Sequence, residues 1–271
     1  MSSRWMTALF ALALVLTGCA TSTRPGVVGV ERQQFLMVSS DTVERMAALS
    51  YAQQNKKAQA EGHWVASGPE FDRLLRIEQR LIPQTQVFRD DTQGWRWQLA
   101  VIDAPVLNAS CAPGGKITFY TGLMRKLALS DDEIAAIMGH EIAHALREHG
   151  RERISEAYAQ NMIATVAMAA TQNRQGEVDL ANQFAQYLYV LPNSRTHEQE
   201  ADQIGLELAA RAGFDPRGAI SVWRKMESAD NGKAPPEFLS THPSNEHRRA
   251  ELEALLPRVM PLYEQARRRQ P

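Results

Sequence analysis

This chain has almost no excess of charge of either sign. Lys and Arg number 30 against 31 Asp and Glu, a formal net charge of −1, which argues against a nucleic-acid partner and against a polybasic membrane patch. Aromatic residues make up only 7%, and no segment recurs at the spacing of a solenoid repeat. Cysteine is limited to Cys19 and Cys111. The one N-terminal apolar run, Ala8 to Leu16, falls short of the roughly 20 residues that a bilayer span needs. What is present is an ordinary globular composition, 44% hydrophobic and 23% charged over 271 residues, ample for a core.

The N-terminus has the layout of a secretory signal peptide: Arg4, the apolar run, then small residues. Leu16-Thr17-Gly18-Cys19 resembles the bacterial lipobox. That resemblance implies cleavage before Cys19, with lipid on its thiol and on its new amino group, enough acyl chains to hold a membrane stably. Ala20, in place of aspartate, points in the usual sorting rule to the bacterial outer membrane, facing the periplasm. Residues 1–18 are then a signal peptide, 19–30 a flexible lipidated tether ("TSTRPGVVG"), and 31–271 a single domain. With Cys19 acylated, Cys111 has no partner for a disulfide and reads as a small buried hydrophobe.

Apolar spacing predicts amphipathic helices within 31–60 and over 69–82. The period then changes. Trp95, Trp97, Leu99 and Val101 alternate with polar or small residues, a half-buried strand preceded through "DDTQG" by a short strand at 86–89. "KITFY", Lys116 to Tyr120, is another strand. Pro113, Gly114 and Gly115 beside it suggest a sheet edge or a bulge. Ser130-Asp131-Asp132-Glu133 is a capping box that opens a helix running to about Gly150. Further helices follow over about 152–171 and 194–212, the latter stopped by Gly213, and the tail ends in a last helix. The expected class is mainly α with one small β-sheet.

Within "IMGHEIAHALREHG", three of the seven histidines fall in ten residues. His140 and His144 are four apart, so on a helix both rings can face one metal ion, and Glu141 can take a proton from a water there. The surrounding Ile134, Ile137, Met138, Ile142 and Ala145 make a solvated polar face a poor alternative, because buried histidines need partners. In "HEQEADQIG", a helical wheel places Glu198 with Ala201, Asp202, Gly205 and Ala209 on a small-residue face that a neighbouring helix can approach. Glu200 falls with Gln203, Glu207 and Arg211 on a stripe expected to face solvent. Glu198 is therefore the third ligand, and Asp202 is placed to accept the far ring N–H of a ligand histidine. His149 lies well around the helix from the metal face, and His63, His197 and His247 have no partner pattern, so all four are expected at the surface. His242, before Pro243, reads equally as a loop residue or a site residue, and Ser244 as an N-cap favours the loop.

His140-Glu141-x-x-His144 with Glu198-x-x-Ala201-Asp202-x-x-Gly205 resembles the zinc metallopeptidases that include the HtpX proteases, the CAAX prenyl endopeptidases, and the periplasmic proteases BepA and LoiP. "NASCAPGGKITFYTGL", "SDDEIAAIMGHEIAHALREHG", "SRTHEQEADQIG" and "STHPSNEHR" match in the same order, most closely the lipid-anchored members; Cys111 departs from a larger apolar residue. The resemblance implies a zincin-like fold with one zinc on His140, His144 and Glu198, and Glu141 as general base. It also implies a substrate-pairing edge strand at Asn108, Ala109, Ser110 and Cys111, and Arg248 in support behind the ligands. His242 becomes a fourth ligand or a stabiliser of the tetrahedral intermediate. The expected activity is cleavage of unfolded or misassembled envelope proteins. A lipoprotein chaperone or assembly factor that rarely cleaves is the rival, and a non-proteolytic zinc hydrolase a third reading. Glu141 discriminates, since a binding module needs no base. Oligomeric state is left open.

Overall fold

The computed structural model describes residues 19–170, 193–229, 237–242 and 246–269. A two-stranded antiparallel ribbon, β1 (Cys19–Ala20) with β2 (Gln34–Phe35), comes first among the described residues. Helices α1 (Ser40–Ala60) and α2 (Pro69–Leu81) follow, then the sheet β3 (Gln98–Ile102), β4 (Ala109–Ala112) and β5 (Lys116–Tyr120). Next come α3 (Thr121–Lys126), α4 (Asp131–Leu146), α5 (His149–Ala170), α6 (Arg195–Arg211), α7 (Arg217–Ala229), α8 (Glu237–Thr241) and α9 (Glu246–Arg269). The mainly helical expectation with one small sheet holds. No helix among the described residues is long and apolar enough to cross a membrane.

Helix α4 is the axis of the molecule, buried from Glu133 through Leu146 and packed against α2, α6, α7 and β4. Its start is the expected capping box: the Ser130 hydroxyl accepts from the Glu133 N–H at 3.3 Å, and the Glu133 carboxylate from the Ser130 N–H at 2.7 Å. The small-residue face of α6 does admit a close neighbour. A Cβ at Gly205 would lie 2.7 Å from the His140 nitrogen, so any larger residue would drive α4 and α6 apart.

Several boundaries differ from the expectation. Helix α4 stops at Leu146 rather than near Gly150, because Glu148 takes a left-handed φ of 52°. That conformation costs a residue with a Cβ roughly 1–2 kcal/mol. It is held by bonds from Ser40 Oγ at 2.7 Å and Arg151 Nη1 at 2.8 Å to the Glu148 carboxylate. The short strand expected at 86–89 is instead 3-10 turns over Ile82–Val87 and Asp90–Gly94, pinned by Thr85 Oγ1 donating to Ile82 O at 2.7 Å. The sheet order is β3-β5-β4, with β3 parallel and β4 antiparallel to β5. Lys116–Tyr120 is thus central and not an edge. Pro113, Gly114 and Gly115 lie in the turn before it, where positive φ at both glycines makes the reversal, so no proline interrupts either ladder.

Residues 21–30, expected to be a flexible tether, belong to a packed strap that runs over residues 19–35. Val28 and Val30 join the core. The Val27 and Val28 N–H groups donate to Glu207 Oε2 at 2.8 and 3.1 Å. Gly26, with φ 61°, lets the strap come this close: a Cβ there would sit 2.4 Å from the Glu207 carboxylate. Apolar side chains and a satisfied backbone, not composition, decide that this segment is ordered.

Candidate metal centre

One turn of α4 carries His140 and His144, with their Nε2 atoms 3.0 Å apart. Glu198 of α6 lies against both, Oε1 3.3 Å from His144 Nε2 and Oε2 3.5 Å from His140 Nε2. His242, just after α8, adds Nδ1 at 3.2 Å from His140 Nε2 and 3.0 Å from Glu198 Oε1. All four residues are buried, and their ligand atoms lie within 4.8 Å of one another. Donors spaced 3.0–3.5 Å apart fit the edge of about 3.3 Å of a tetrahedron with bonds of ~2.0–2.1 Å to an N/O-ligated ion. Buried nitrogens that converge lone pairs in this way need a cation between them, so the donor set fits a metal.

His140 is braced from behind. Its Nδ1 meets Asp202 Oδ1 at 2.9 Å. Arg248 grips Asp202 through two bonds, Nε to Oδ2 at 2.7 Å and Nη2 to Oδ1 at 2.8 Å, reaches Glu198 Oε2 at 2.8 Å, and stacks over Trp223. Burial pushes the His140 imidazole down, but Asp202 and Glu198 outweigh it and raise it to about 10. Burial resists ionisation of Asp202, yet Arg248 and His140 keep it below the usual carboxylate range. Glu198 behaves likewise, held well below by His242, His140 and His144.

Glu141 stands on the cleft side of the cluster, its Oε1 3.4 Å from His242 Nε2 and without a hydrogen-bond partner. Burial pushes its carboxyl up, against the pull of His242 and His140. A cleft of about 280 Å³ opens here, lined by Asn108, Ala109, Ser110 and Cys111 on one wall and by Glu141 and His144 on its floor. β4 is an edge strand, bonded only to β5 among the described strands, so its other edge is available to an extended chain. Cys111 is buried as expected. Cys19 lies in β1, outside this cluster. Ser244, expected as an N-cap, lies outside the described residues.

Three residues expected at the surface are buried here, and a fourth, Glu207, is buried under the strap. His149 is 0% exposed, His197 5% and Glu200 6%. His149 Nδ1 meets His144 Nδ1 at 2.8 Å, and its Nε2 meets Glu200 Oε2 at 2.9 Å. His197 stacks on His149 and reaches Glu152 Oε2 at 3.1 Å. The wheel failed for a definite reason. Its "solvated" stripe on α6 is covered by the strap, and the break at Glu148 swings His149 back toward His144, where an unbroken helix would carry it away. Arg147, wholly buried, was also missed. His63 and His247 are exposed, as expected.

Residues 69–256 match peptidase family M48. Over 168 residues the chain is 38% identical to the mitochondrial metalloendopeptidase OMA1 of Schizosaccharomyces pombe, covering 60% of this chain and 47% of that protein. It is 33% identical to the mitochondrial metalloendopeptidase OMA1 of Bos taurus, covering 62% and 34%. It is 26% identical to the beta-barrel assembly-enhancing protease of Escherichia coli, covering 61% and 36%. The chain thus spans about half, or less, of the length of these relatives. The expected bacterial outer-membrane location is overturned by them, since those at 38% and 33% identity are mitochondrial proteins. That expectation rested on Ala20 and its neighbours, which lie outside the matched region. With that region holding the helix-borne His140, Glu141 and His144, and Glu198, the chain belongs to the metallopeptidase family M48.

Proposed function

We propose that this protein is a zinc-dependent endopeptidase that cleaves extended segments of misfolded or misassembled proteins. The observation that carries the reading is the buried donor set His140, His144 and Glu198, with Glu141 beside it on the floor of a cleft walled by an edge strand. Zinc, bound there, would supply the Lewis acidity that polarises the scissile carbonyl and the attacking water. The remaining work falls to the chain. Residues 108–111 would pair with the substrate backbone and hold it extended. Glu141, its proton affinity raised by burial, would take a proton from the attacking water and deliver it to the leaving amine. Arg248 and Asp202 would fix His140 in the tautomer that offers Nε2.

The test is zinc analysis of the purified protein together with cleavage of unfolded casein. Glu141→Gln should retain the metal and lose about 10²–10⁴-fold in turnover. Full activity in that variant would defeat the reading. A second reading, a chaperone or assembly factor that cleaves rarely, is favoured by His242, whose Nδ1 lies against His140 and Glu198 and would take up the position that a catalytic metal keeps open. His242→Ala should raise casein cleavage if His242 closes the site, and lower it about 100-fold or more if it stabilises the oxyanion. Lipid attachment at Cys19 is a separate proposal, supported by the Leu16–Cys19 sequence alone and tested by the intact mass of the mature N-terminal peptide.

A further inference from the structure

The N-terminal strap and His144 are linked by an unbroken chain of buried polar contacts. His144 directs Nε2 at the other ligand atoms, which leaves Nδ1 as the ring's outward donor. Nδ1 meets not a carboxylate or a carbonyl but His149 Nδ1, at 2.8 Å. The hydrogen positions follow. If His144 offers its Nε2 lone pair to a metal, its Nδ1 carries the proton and donates it. His149 must then accept at Nδ1 and hold its own proton on Nε2, which points at Glu200 Oε2 2.9 Å away.

Glu200 is fixed in turn by two arginines. Arg147 donates Nε to Oε2 and Nη2 to Oε1, both at 3.2 Å. Arg32, from the strap, donates Nε to Oε1 at 2.8 Å and spans to Glu152 with Nη1 at 2.6 Å and Nη2 at 2.8 Å. The strap also holds Arg147 directly, through Thr21 Oγ1 at 3.0 Å, Thr23 Oγ1 at 3.2 Å and the Arg32 carbonyl at 3.0 Å. Two guanidinium groups and two carboxylates make the network electrically balanced, which allows Arg147, Glu152 and Glu200 to be buried while Arg32 stays one-third exposed at its rim. Arg32, Thr21 and Thr23 all precede the stretch, 69–256, that matches the family.

We propose that the strap, residues 19–35, is a structural arm of the metal centre, with His149 as the positioning residue through which Glu200, Arg147 and Arg32 set the orientation and tautomer of His144. The inference rests on the reading of His140, His144 and Glu198 as ligands. It makes the strap necessary for tight metal binding although no strap residue touches the metal cluster.

The test uses the full-length protein and measures zinc affinity by chelator competition, together with the absorption spectrum of the cobalt-substituted form. His149→Phe keeps the ring stacked on His197 but can neither accept from His144 nor donate to Glu200. It should bind zinc about 10–100-fold more weakly and shift the cobalt spectrum. His149→Gln keeps one acceptor and one donor and should restore most of the affinity. Arg32→Ala, remote from the ligands, should fall between wild type and His149→Phe. Wild-type affinity and spectrum in His149→Phe would overturn the proposal. So would a His149→Gln variant as weak as His149→Phe at wild-type thermal stability, because that would make His149 mere packing. Should His149→Phe fail to fold, Arg32→Ala decides: unchanged zinc affinity there overturns the role of the strap. Absence of zinc from the wild-type protein is a distinct result that defeats the ligand reading itself, and this proposal with it.

Discussion

His140 and His144 sit one turn apart on one helix and face the same point, yet they are held from behind in different ways. His140 leans on Asp202, which Arg248 clamps. Both supports come from helices α6 and α9 inside the region shared with the family. His144 leans on a second histidine, His149, and reaches carboxylate only at the next step, Glu200, which is fixed by Arg147 and by Arg32 of the strap. The consequence shows in the two rings. His140, next to Asp202, is raised to about 10, whereas burial drives His144 well below its ordinary value despite Glu198. A carboxylate behind the ring favours the cation, and a neutral imidazole does not. The first flank is self-contained, while the second needs a segment more than a hundred residues away in sequence.

The largest expected effect breaks both flanks at once. His140→Ala or His144→Ala removes a proposed metal ligand and should abolish stoichiometric zinc, measured by metal analysis of the purified variant; retention of full occupancy in either would dissolve the comparison. Arg248→Ala comes next. It leaves Asp202 and Glu198 buried without their cation and should cost about 3–5 kcal/mol in denaturant unfolding. Asp202→Ala should weaken zinc binding about 10–100-fold while sparing the strap flank, and chelator titration would show it.

A pH prediction distinguishes the flanks further. Burial resists ionisation of Glu152, but Arg32, His197 and Gln34 hold it well below its unfolded value of 4.5. A carboxylate depressed in the folded state contributes stability above the unfolded pKa and loses it as pH falls toward the folded one. The wild-type protein should therefore lose stability progressively below pH 4.5, and Arg32→Ala should flatten that loss; an identical acid profile in the two proteins would separate the strap from Glu152. The smallest effect is the control. His247→Ala, exposed and unpartnered by any motif, should stay within about 0.5 kcal/mol of wild type with unchanged zinc.

The first flank was legible in the sequence because it lies on regular helices. Four-residue spacing placed His140 beside His144, and the wheel placed Glu198 and Asp202 on the small-residue face of α6, where Gly205 admits α4. The same wheel failed for Glu200 and Glu207, because it reports which residues share a face and not what covers that face. A polar stripe reads as solvated whether water or a strap lies on it.

Local sequence determined the capped helix α4, the two histidines that share its face, and the small-residue face of α6 that carries Glu198. These follow from spacing and capping within a few residues, interactions that need no distant partner. Tertiary structure alone decided that His149 turns back to His144. That outcome depends on a left-handed Glu148 held by Ser40 and Arg151, and on a strap that brings Arg32 to Glu200 across 168 residues of sequence. A strained backbone angle and a buried charge network are stable only once their partners have assembled around them.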